Sequence, residues 1–271
     1  MYEKRYFETI AEYRLLAKHE VGQNFLVDSS AAKRIVDALE VEGTDSVLEI
    51  GSGAGSLSYF LAESGADVDL IDIDEALVTK LEQDFQSNDN VHPLMSNALK
   101  HDCAKYGKII GNLPYYITSG ILEHVFLTAK NCRKAVFMIQ KEALSRLLAQ
   151  VGSEDYGPLN ILMEFRSKPK RLFTVPRTSF SPAPHIDSAV FVCDFRNDDL
   201  ETASELYRLT SAMFLHRRKT ILNNLSMALK DPEKAKKVLA AAKIDERKRP
   251  QNLTLQDYLT LLEHCNRQTN E

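Results

Sequence analysis

Residues 112–115, Asn-Leu-Pro-Tyr, have the types needed to hold an aromatic amine. Asn112 carries a neutral amide oxygen, and Pro114 biases Leu113 toward an extended backbone whose carbonyl can point outward as a second acceptor. The exocyclic amine of adenine has two N–H donors for these acceptors. A base can also stack on the face of Tyr115, an interaction of about 1–3 kcal/mol. The segment predicts a binding site for an adenine base.

Such a site favours alkylation of the bound amine. An aromatic amine is a weak nucleophile because its lone pair is conjugated with the ring. Two acceptors on its hydrogens would draw the nitrogen toward tetrahedral geometry and free the lone pair to attack a methyl sulfonium. No strong base is needed, because the proton becomes acidic once the nitrogen is alkylated. Catalysis would then consist mainly of positioning and polarisation.

A glycine-rich turn and a later acid form a second candidate site. Gly51, Gly53 and Gly55 follow a short apolar run, where glycines let the backbone approach a ligand closely. The sixth position is Ser56, so the GxGxxG fingerprint of dinucleotide-binding proteins is incomplete. Asp72 stands 21 residues after Gly51, the spacing at which an acid hydrogen-bonds ribose hydroxyls. The set predicts an adenosine-type cofactor, S-adenosylmethionine.

An extruded base needs a second aromatic wall, because it must leave its stack to reach such a pocket. Phe180 is the candidate. It lies in a proline-rich segment, residues 173–184, that can hold it rigidly. The alternative is that Phe180 is a hydrophobic anchor for this loop.

Alternating apolar runs and helical patterns must position these residues. We predict strands at 46–50, 67–71, 91–95, 108–112, 135–140, 160–165 and 188–195, and helices at 29–39, 57–64, 76–85, 119–128 and 142–150. This alternation is typical of a mostly parallel sheet covered by helices on both faces. The last two strands are joined by a long irregular segment, so one of them should run antiparallel. The predicted fold class is α/β, a Rossmann-like methyltransferase fold with a seven-stranded sheet.

The pattern changes after residue 200. Four helices are predicted near 202–215, 219–229, 232–242 and 254–264, with prolines between them. We therefore predict a cofactor-binding catalytic domain at residues 1–200 and a small all-helical domain at residues 201–271.

Composition and charge indicate a globular protein and suggest where a charged partner would bind. With 44% apolar and 27% charged residues, the chain can bury a full-sized core. The formal net charge is −4, yet residues 201–271 hold 13 basic and 9 acidic side chains, so a polyanion should bind near them. The four cysteines lack the spacing of a zinc site, and no metal is expected. No apolar run suits a signal peptide or membrane span, so we expect a cytoplasmic protein without membrane contact. Nothing in the sequence argues for more than a monomer.

Six motifs in order resemble those of the ribosomal RNA adenine dimethyltransferases, specifically the bacterial small-subunit enzymes. The resemblance covers residues 18–262, nearly the whole chain. The motifs are GQNFLVD at 22–28, VLEIGSGAG at 47–55, NLPYYI at 112–117, QKE at 140–142 with YG at 156–157, FSPAPHIDSAV at 180–190 and RRKT at 217–220.

The resemblance implies a reaction, a role for each matched residue and RNA binding by the helical domain at residues 201–271. The family transfers two methyl groups to N6 of each of two adjacent adenines in the 3′-terminal hairpin of 16S rRNA, within a partly assembled small subunit. By the same resemblance, Asn112 and Leu113 would hold the target amine, with Asn112 also beside the cofactor, and position 97 would read the cofactor adenine. The residues implied to bind the cofactor are Gln23, Asn24, Leu26, Gly51, Gly53, Asp72, Asn97 and Asn112.

The chain departs from the family in three places. Ser96 and Asn97 begin a stretch that is usually Gly-Asp-Ala-Leu, and an amide at 97 accepts a hydrogen bond without charge assistance, so weaker cofactor binding is predicted. Asp72 stands where glutamate is more usual. Ser52 and Ala54 replace a proline and a larger residue in the glycine turn, which leaves its stiffness open.

Basic runs are candidates for the RNA surface. Residues 165–177 carry five basic side chains and no acid, and we interpret them as a loop leading to Phe180. A second run lies in the RRKT motif; for a third, 243–249, a solvated helix end is an equally good interpretation. The predicted RNA-binding residues are Lys168, Lys170, Arg171, Arg217, Arg218 and Lys219.

Two other functions remain open from sequence. The related large-subunit adenine methylase of the macrolide-resistance type shares the glycine, NLPY and phenylalanine features. The YGxL segment and the RRKT helix favour the small-subunit enzyme instead. The same fold can also serve as a non-catalytic RNA-binding assembly or transcription factor, and Asn97 gives this alternative some weight.

Overall fold

The computed structural model describes residues 24–267. The strands are β1 Phe25–Leu26, β2 Ser46–Ile50, β3 Asp67–Asp72, β4 Val91–Met95, β5 Lys108–Asn112, β6 Lys134–Gln140, β7 Ser167–Val175, β8 Phe180–Ser181 and β9 Ser188–Phe195. The helices are α1 Ser29–Leu39, α2 Ser58–Ala62, α3 Glu75–Phe85, α4 Thr118–Thr128, α5 Lys141–Leu147, α6 Pro158–Arg166, α7 Leu200–Phe214, α8 Ile221–Leu229, α9 Pro232–Ala241 and α10 Leu255–Arg267.

Seven strands form one sheet in the order β4-β3-β2-β5-β6-β9-β7. The first five strands in this order are parallel to one another, and β9 runs antiparallel to β6. The two short strands β1 and β8 pair antiparallel in a separate sheet. The predicted α/β fold with a mostly parallel sheet and one antiparallel strand is confirmed.

The central parallel strands β2 and β5 are buried on both faces, which explains their apolar sequences. Val47, Leu48 and Ile50 of β2 are inaccessible to solvent. Helix α1 begins at Asp28, whose carboxylate accepts a hydrogen bond from the Ala31 N–H at 3.0 Å, and its Ile35 packs in the same core. This N-cap satisfies one of the backbone N–H groups that have no partner within the first turn of a helix.

Each edge strand of the sheet contains a proline. Pro93 lies in the edge strand β4, and Pro169 lies in β7 at the opposite edge. A proline cannot donate to a strand ladder, and edge strands are where a sheet tolerates it. The prolines therefore fit the strand order.

The predicted strand at 160–165 is wrong. These residues belong to helix α6, which begins at Pro158, and the Gly157 N–H donates to the Asn160 side chain at 2.9 Å. A short apolar run does not distinguish a strand from a buried helix segment; here the Gly-Pro start signal favours the helix.

The seventh strand is β7, inside the basic segment that we interpreted as a loop. Ser167 and Val175 at its ends are buried, whereas Lys168 and Lys170 are exposed. The lysines lie two residues apart, and side chains two apart share one face of a strand, so an exposed edge strand can be basic. The segment is therefore part of the sheet.

The chain divides into two compact units, and the division differs from the predicted boundary at residue 200. One unit holds Lys168–Asp198 with the described chain up to Leu144; the other holds Ser145–Ser167 with the described chain from Asp199. Tyr156 and Ile161 pack in the same apolar cluster as Met213 of α7, which explains why 145–167 joins the C-terminal helices. Among the described helices, none has the length and apolar character needed to cross a membrane.

Candidate functional site

A cavity of about 510 Å³ opens at the carboxyl ends of β2, β3, β4 and β5. This is the edge at which open α/β sheets bind ligands, and its volume suits a small molecule. The lining residues are Asn24, Phe25, Ile50, Gly51, Gly53, Ile71, Asp72, Ile73, Asp74, Glu75, Ala76, Leu77, Ser96, Asn97, Ala98, Asn112, Leu113, Pro114, Tyr115, Tyr116, Ile117 and Ile121.

The glycine turn brings backbone close to two other walls of the cavity. Gly51 has a φ of +72°, and a Cβ there would lie 3.4 Å from the Asn112 carbonyl oxygen. Gly53 has a φ of +53°, and its Cβ would lie 3.5 Å from the Phe25 ring. Side chains at either position would be strained and would fill space beside the cavity. The two predicted glycines therefore form a cradle for a ligand, and a side chain at either position would reduce the space in it.

Asp72 ends β3 and fixes the same turn. One carboxylate oxygen accepts from the Gly53 N–H at 3.0 Å, and the other accepts from the Asp74 N–H at 2.9 Å. Burial raises the pKa of Asp72 above its usual range, although these backbone hydrogen bonds oppose the shift. Each oxygen keeps a further lone pair, which is the acceptor that a ribose hydroxyl requires.

Asn97 follows β4 and lines the cavity, as do Ser96 and Ala98. The Asn97 side-chain oxygen accepts from the Leu99 N–H at 2.9 Å, closing a turn. One of its two lone pairs is therefore already used.

Asn112 and Leu113 line the cavity at the end of β5. The Leu113 N–H donates to the Met138 carbonyl at 3.0 Å, which holds the segment on β6. Pro114 adopts an extended conformation, and its carbonyl accepts from the Thr118 hydroxyl at 3.0 Å. Within residues 24–267, no hydrogen bond occupies the Asn112 side-chain oxygen or the Leu113 carbonyl, the two predicted acceptors.

Two tyrosines follow these acceptors. Tyr115 is held by a hydrogen bond between its hydroxyl and that of Ser188 at 2.9 Å, and burial raises its pKa. Tyr116 also lines the cavity, and 69% of it is exposed. Tyr116 was not among the predicted site residues, although its place directly after Tyr115 was a usable signal.

Two predicted site residues lie in the hydrophobic core and do not line the cavity. Leu26 is inaccessible, and Phe180 is 4% exposed. Leu26 and Phe180 face each other in the β1–β8 pair. Because side chains alternate along a strand, Phe25 lines the cavity while Leu26 enters the core. Asn24 lines the cavity, and Gln23 lies outside the described residues.

The predicted RNA-binding residues differ in their surroundings. Lys168 and Lys170 are exposed on β7, as is Arg171, which donates to the Thr174 hydroxyl at 2.6 Å. In the second unit, Arg218 and Lys219 are exposed.

Arg217 has structural contacts that Arg218 and Lys219 do not share. Its guanidinium donates to the carbonyls of Glu154 and Tyr156 and lies over the Phe214 ring, 5.3 Å from the centroid. These contacts give Arg217 a packing role within its unit.

Glu49 is a buried acid that the sequence analysis missed. It lies on β2, is 1% exposed and accepts a hydrogen bond from the Ser58 hydroxyl at 2.7 Å. Burial raises the pKa of Glu49 to about 8, so its carboxyl is largely protonated at neutral pH. Among the described residues, no group of three or more His, Cys, Asp or Glu could hold a metal ion.

A family model described as ribosomal RNA adenine dimethylase matches residues 14–267. The chain belongs to this family. Ribosomal RNA small subunit methyltransferase A of Streptococcus thermophilus is 37% identical to it over 238 residues, covering 83% of this chain and 82% of that protein. The protein of the same name from Moorella thermoacetica is 35% identical over 269 residues and covers 93% of each chain.

Solved structures of methyltransferases share the fold of this family member. A dimethyladenosine transferase from Plasmodium falciparum has a TM-score of 0.77 at 26% identity, covering 90% of this chain and 98% of that one. The 23S rRNA methyltransferase ErmE has a TM-score of 0.64 at 22% identity, covering 90% and 100%, which is a likeness of fold.

The cavity fits the S-adenosylmethionine that a methyltransferase of this family uses. Adjacent strands lie about 4.8 Å apart, so the ends of four strands span about 14 Å, enough for an amino acid joined to a nucleoside. Along this span lie the glycine cradle at β2, the Asp72 carboxylate at β3 and the Asn97 turn at β4. These residues could hold the methionine, ribose and adenine parts, respectively.

Proposed function

We propose that this protein transfers methyl groups from S-adenosylmethionine to N6 of two adjacent adenines in the 3′-terminal hairpin of 16S rRNA, acting in the cytoplasm on a partly assembled small subunit. The observation that carries the proposal is one cavity with two parts. The cradle and acid on β2 and β3 suit an adenosine-type cofactor. Asn112 and Leu113, at the end of the adjacent β5, offer a side-chain oxygen and a carbonyl that no hydrogen bond from residues 24–267 occupies, and these suit a target amine.

The residues of the cavity act by holding the target adenine. Its amine would donate one hydrogen to the Asn112 oxygen and the other to the Leu113 carbonyl. When bound, S-adenosylmethionine supplies an electrophilic methyl group. Both acceptors are neutral, so they favour the amine while it is uncharged and accept hydrogen bonds more strongly as it gains positive charge.

The aromatic residues of the cavity suit the base itself. Tyr115 is fixed by its bond to Ser188, so its ring is available without further ordering. Tyr116 is largely exposed at the same cavity and provides a second face, in the role that we had predicted for Phe180. Stacking of this kind offsets part of the free-energy cost of extruding the base from its helix.

Exposed basic side chains in each unit suit the RNA backbone. Lys168, Lys170 and Arg171 would contact phosphates through one unit, and Arg218 and Lys219 through the other. Contacts of this type raise affinity for any RNA of suitable shape and weaken with salt.

The test is methylation of partly assembled small subunits and, separately, of large subunits, both prepared from unmodified transcribed RNA, with labelled S-adenosylmethionine. We expect label in the small-subunit RNA only. Mass spectrometry of the isolated hairpin should show two adjacent dimethylated adenines.

Two results would contradict the proposal and identify its alternatives. Label only in the large-subunit RNA would indicate an enzyme of the macrolide-resistance type. Binding of small-subunit RNA with no label from either subunit, in a preparation that is folded, would indicate a non-catalytic RNA-binding factor.

A further inference from the structure

A chain of hydrogen bonds leads from the cavity wall to a buried acid. The Ser96 hydroxyl bonds to Nδ1 of His101 at 3.0 Å, and Nε2 of His101 bonds to the Tyr106 hydroxyl at 2.8 Å. Tyr106 donates to an Asp69 carboxylate oxygen at 2.5 Å. Ser96 lines the cavity, whereas Tyr106 and Asp69 are buried.

The charge of Asp69 determines which group donates in each of these hydrogen bonds. Burial opposes ionisation of Asp69, but hydrogen bonds from Lys105 and Tyr106 outweigh it and lower its pKa, so it is a carboxylate. A carboxylate only accepts hydrogen bonds, so Tyr106 must be the donor, and burial raises the pKa of Tyr106. The Tyr106 oxygen is then the acceptor for His101.

His101 is correspondingly neutral, with its proton on Nε2. Burial lowers the pKa of His101; the other titratable groups that act on it are Asp69, Lys105, Asp102 and His124. With Nε2 as the donor to Tyr106, Nδ1 carries no proton and accepts from Ser96. The Ser96 proton therefore points toward His101, and the oxygen lone pairs remain available to a ligand.

The position of Ser96 relates these lone pairs to the adenine end of a cofactor. Ser96 follows β4, and its N–H donates to the Asp72 carbonyl at 2.9 Å, which places it beside the acid of the ribose site. The neighbouring Asn97 oxygen already accepts from Leu99. The 6-amino group of adenine is a donor and needs an acceptor in this region.

We propose that the Ser96 hydroxyl oxygen is a specificity-determining acceptor for the 6-amino group of the cofactor adenine, and that His101 is a positioning residue that keeps the Ser96 proton away from the ligand. This inference rests on the proposed function. It also explains how a chain with Asn at position 97 retains a reader of adenine, because Ser96 adds the acceptor that a carboxylate would have supplied.

The test compares the binding of two product analogues by calorimetry. S-adenosylhomocysteine has the 6-amino donor, whereas S-inosylhomocysteine has a 6-oxo acceptor in its place. The wild-type protein should prefer the adenosine compound. Ser96→Ala should reduce this preference about five- to tenfold, the range expected for one hydrogen bond, mainly by weakening the adenosine compound. Ser96→Gly provides a second variant, and Ser87→Ala, at an exposed position, is the matched control.

Variants of His101 separate positioning from general stability. His101→Leu should lower the preference as Ser96→Ala does. His101→Asn places an amide oxygen near the position of Nδ1 and should restore much of the preference. A merely structural role for His101 would change the affinity for both compounds equally.

The outcomes distinguish a failure of this inference from a failure of the proposed function on which it rests. If the wild-type protein binds S-adenosylhomocysteine but the Ser96 variants keep the wild-type preference, the inference is wrong and the proposed function stands. If the wild-type protein binds neither compound, both fail.

Discussion

The backbone N–H of Gly53 donates to the carboxylate of Asp72 at 3.0 Å, which ties the glycine turn to the end of β3. The acid predicted to bind the ribose thus also holds the cradle beneath the cofactor. Loss of its charge should therefore affect both the turn and the ligand.

We predict that affinity for S-adenosylhomocysteine falls on acidification through the pKa of Asp72. Burial raises this pKa, so the loss should begin at a higher pH than for an ordinary aspartate. Asp72→Asn should weaken binding about tenfold at pH 7.5, as expected for hydrogen bonds to a charged group, and should flatten the pH dependence. Calorimetry across pH 4 to 7.5 measures both effects, with Asp89→Asn as the exposed control; an unchanged pH profile in Asp72→Asn would refute the assignment.

We predict that Glu49→Gln makes the protein more stable than wild type, and increasingly so as pH rises from about 5 to about 8. The folded protein keeps the Glu49 proton up to about pH 8, whereas the unfolded chain releases it near the ordinary glutamate pKa of 4.5. The folded state therefore loses stability between these pH values, and glutamine has no proton to lose. Urea unfolding at several pH values tests this, with Glu63→Gln as control; a difference that stays constant with pH would contradict it.

Gly111→Ala should disturb the contact between β5 and β2, next to Asn112 of the cavity wall. A Cβ at Gly111 would lie 2.6 Å from the Ile50 carbonyl oxygen, so backbone must move. We expect a stability loss of about 1–3 kcal/mol and reduced methyl transfer. Gly43→Ala is the matched control, because its Cβ would meet only ordinary contacts. Equal unfolding midpoints for both variants would show that the sheet absorbs the change.

Two adjacent arginines should respond differently to substitution. Arg217→Ala should lower stability by about 1.5–3 kcal/mol, because its guanidinium holds two backbone carbonyls. Arg218→Ala should leave stability unchanged and weaken RNA binding, with a smaller salt dependence than wild type. Thermal unfolding and RNA titrations at several salt concentrations separate the two effects. The reverse pattern would mean that the two roles are exchanged.

The sequence predicted the elements whose patterns are local. The strands around the glycine turn and Asn112 follow from short apolar runs, and the helical pattern at 29–39 matches α1. The error at 160–165 arose because a short apolar run suits a helix or a strand, and only the preceding Gly157-Pro158 favoured the helix. Local composition also concealed β7, since an edge strand can be basic.

Site residues were harder to predict where tertiary pairing decides their surroundings. Phe180 and Leu26 face each other across two short strands, a pairing that neither segment reveals alone. The series of hydrogen bonds from Ser96 to Asp69 joins residues on separate segments. Which group donates in each bond therefore follows only from the folded structure. By contrast, Asp72 and Asn112 lie at strand ends in parallel order, which the sequence shows directly.

The most direct test of the central claim is single-turnover methyl transfer by Asn112→Ala, together with its affinity for S-adenosylhomocysteine. Asn266→Ala, at an exposed position of α10, is the matched control. If the Asn112 oxygen holds the target amine, the rate should fall at least 100-fold while cofactor affinity stays within a few-fold, because the lost contact is to the reacting group. A variant that transfers methyl groups at the wild-type rate would contradict the account.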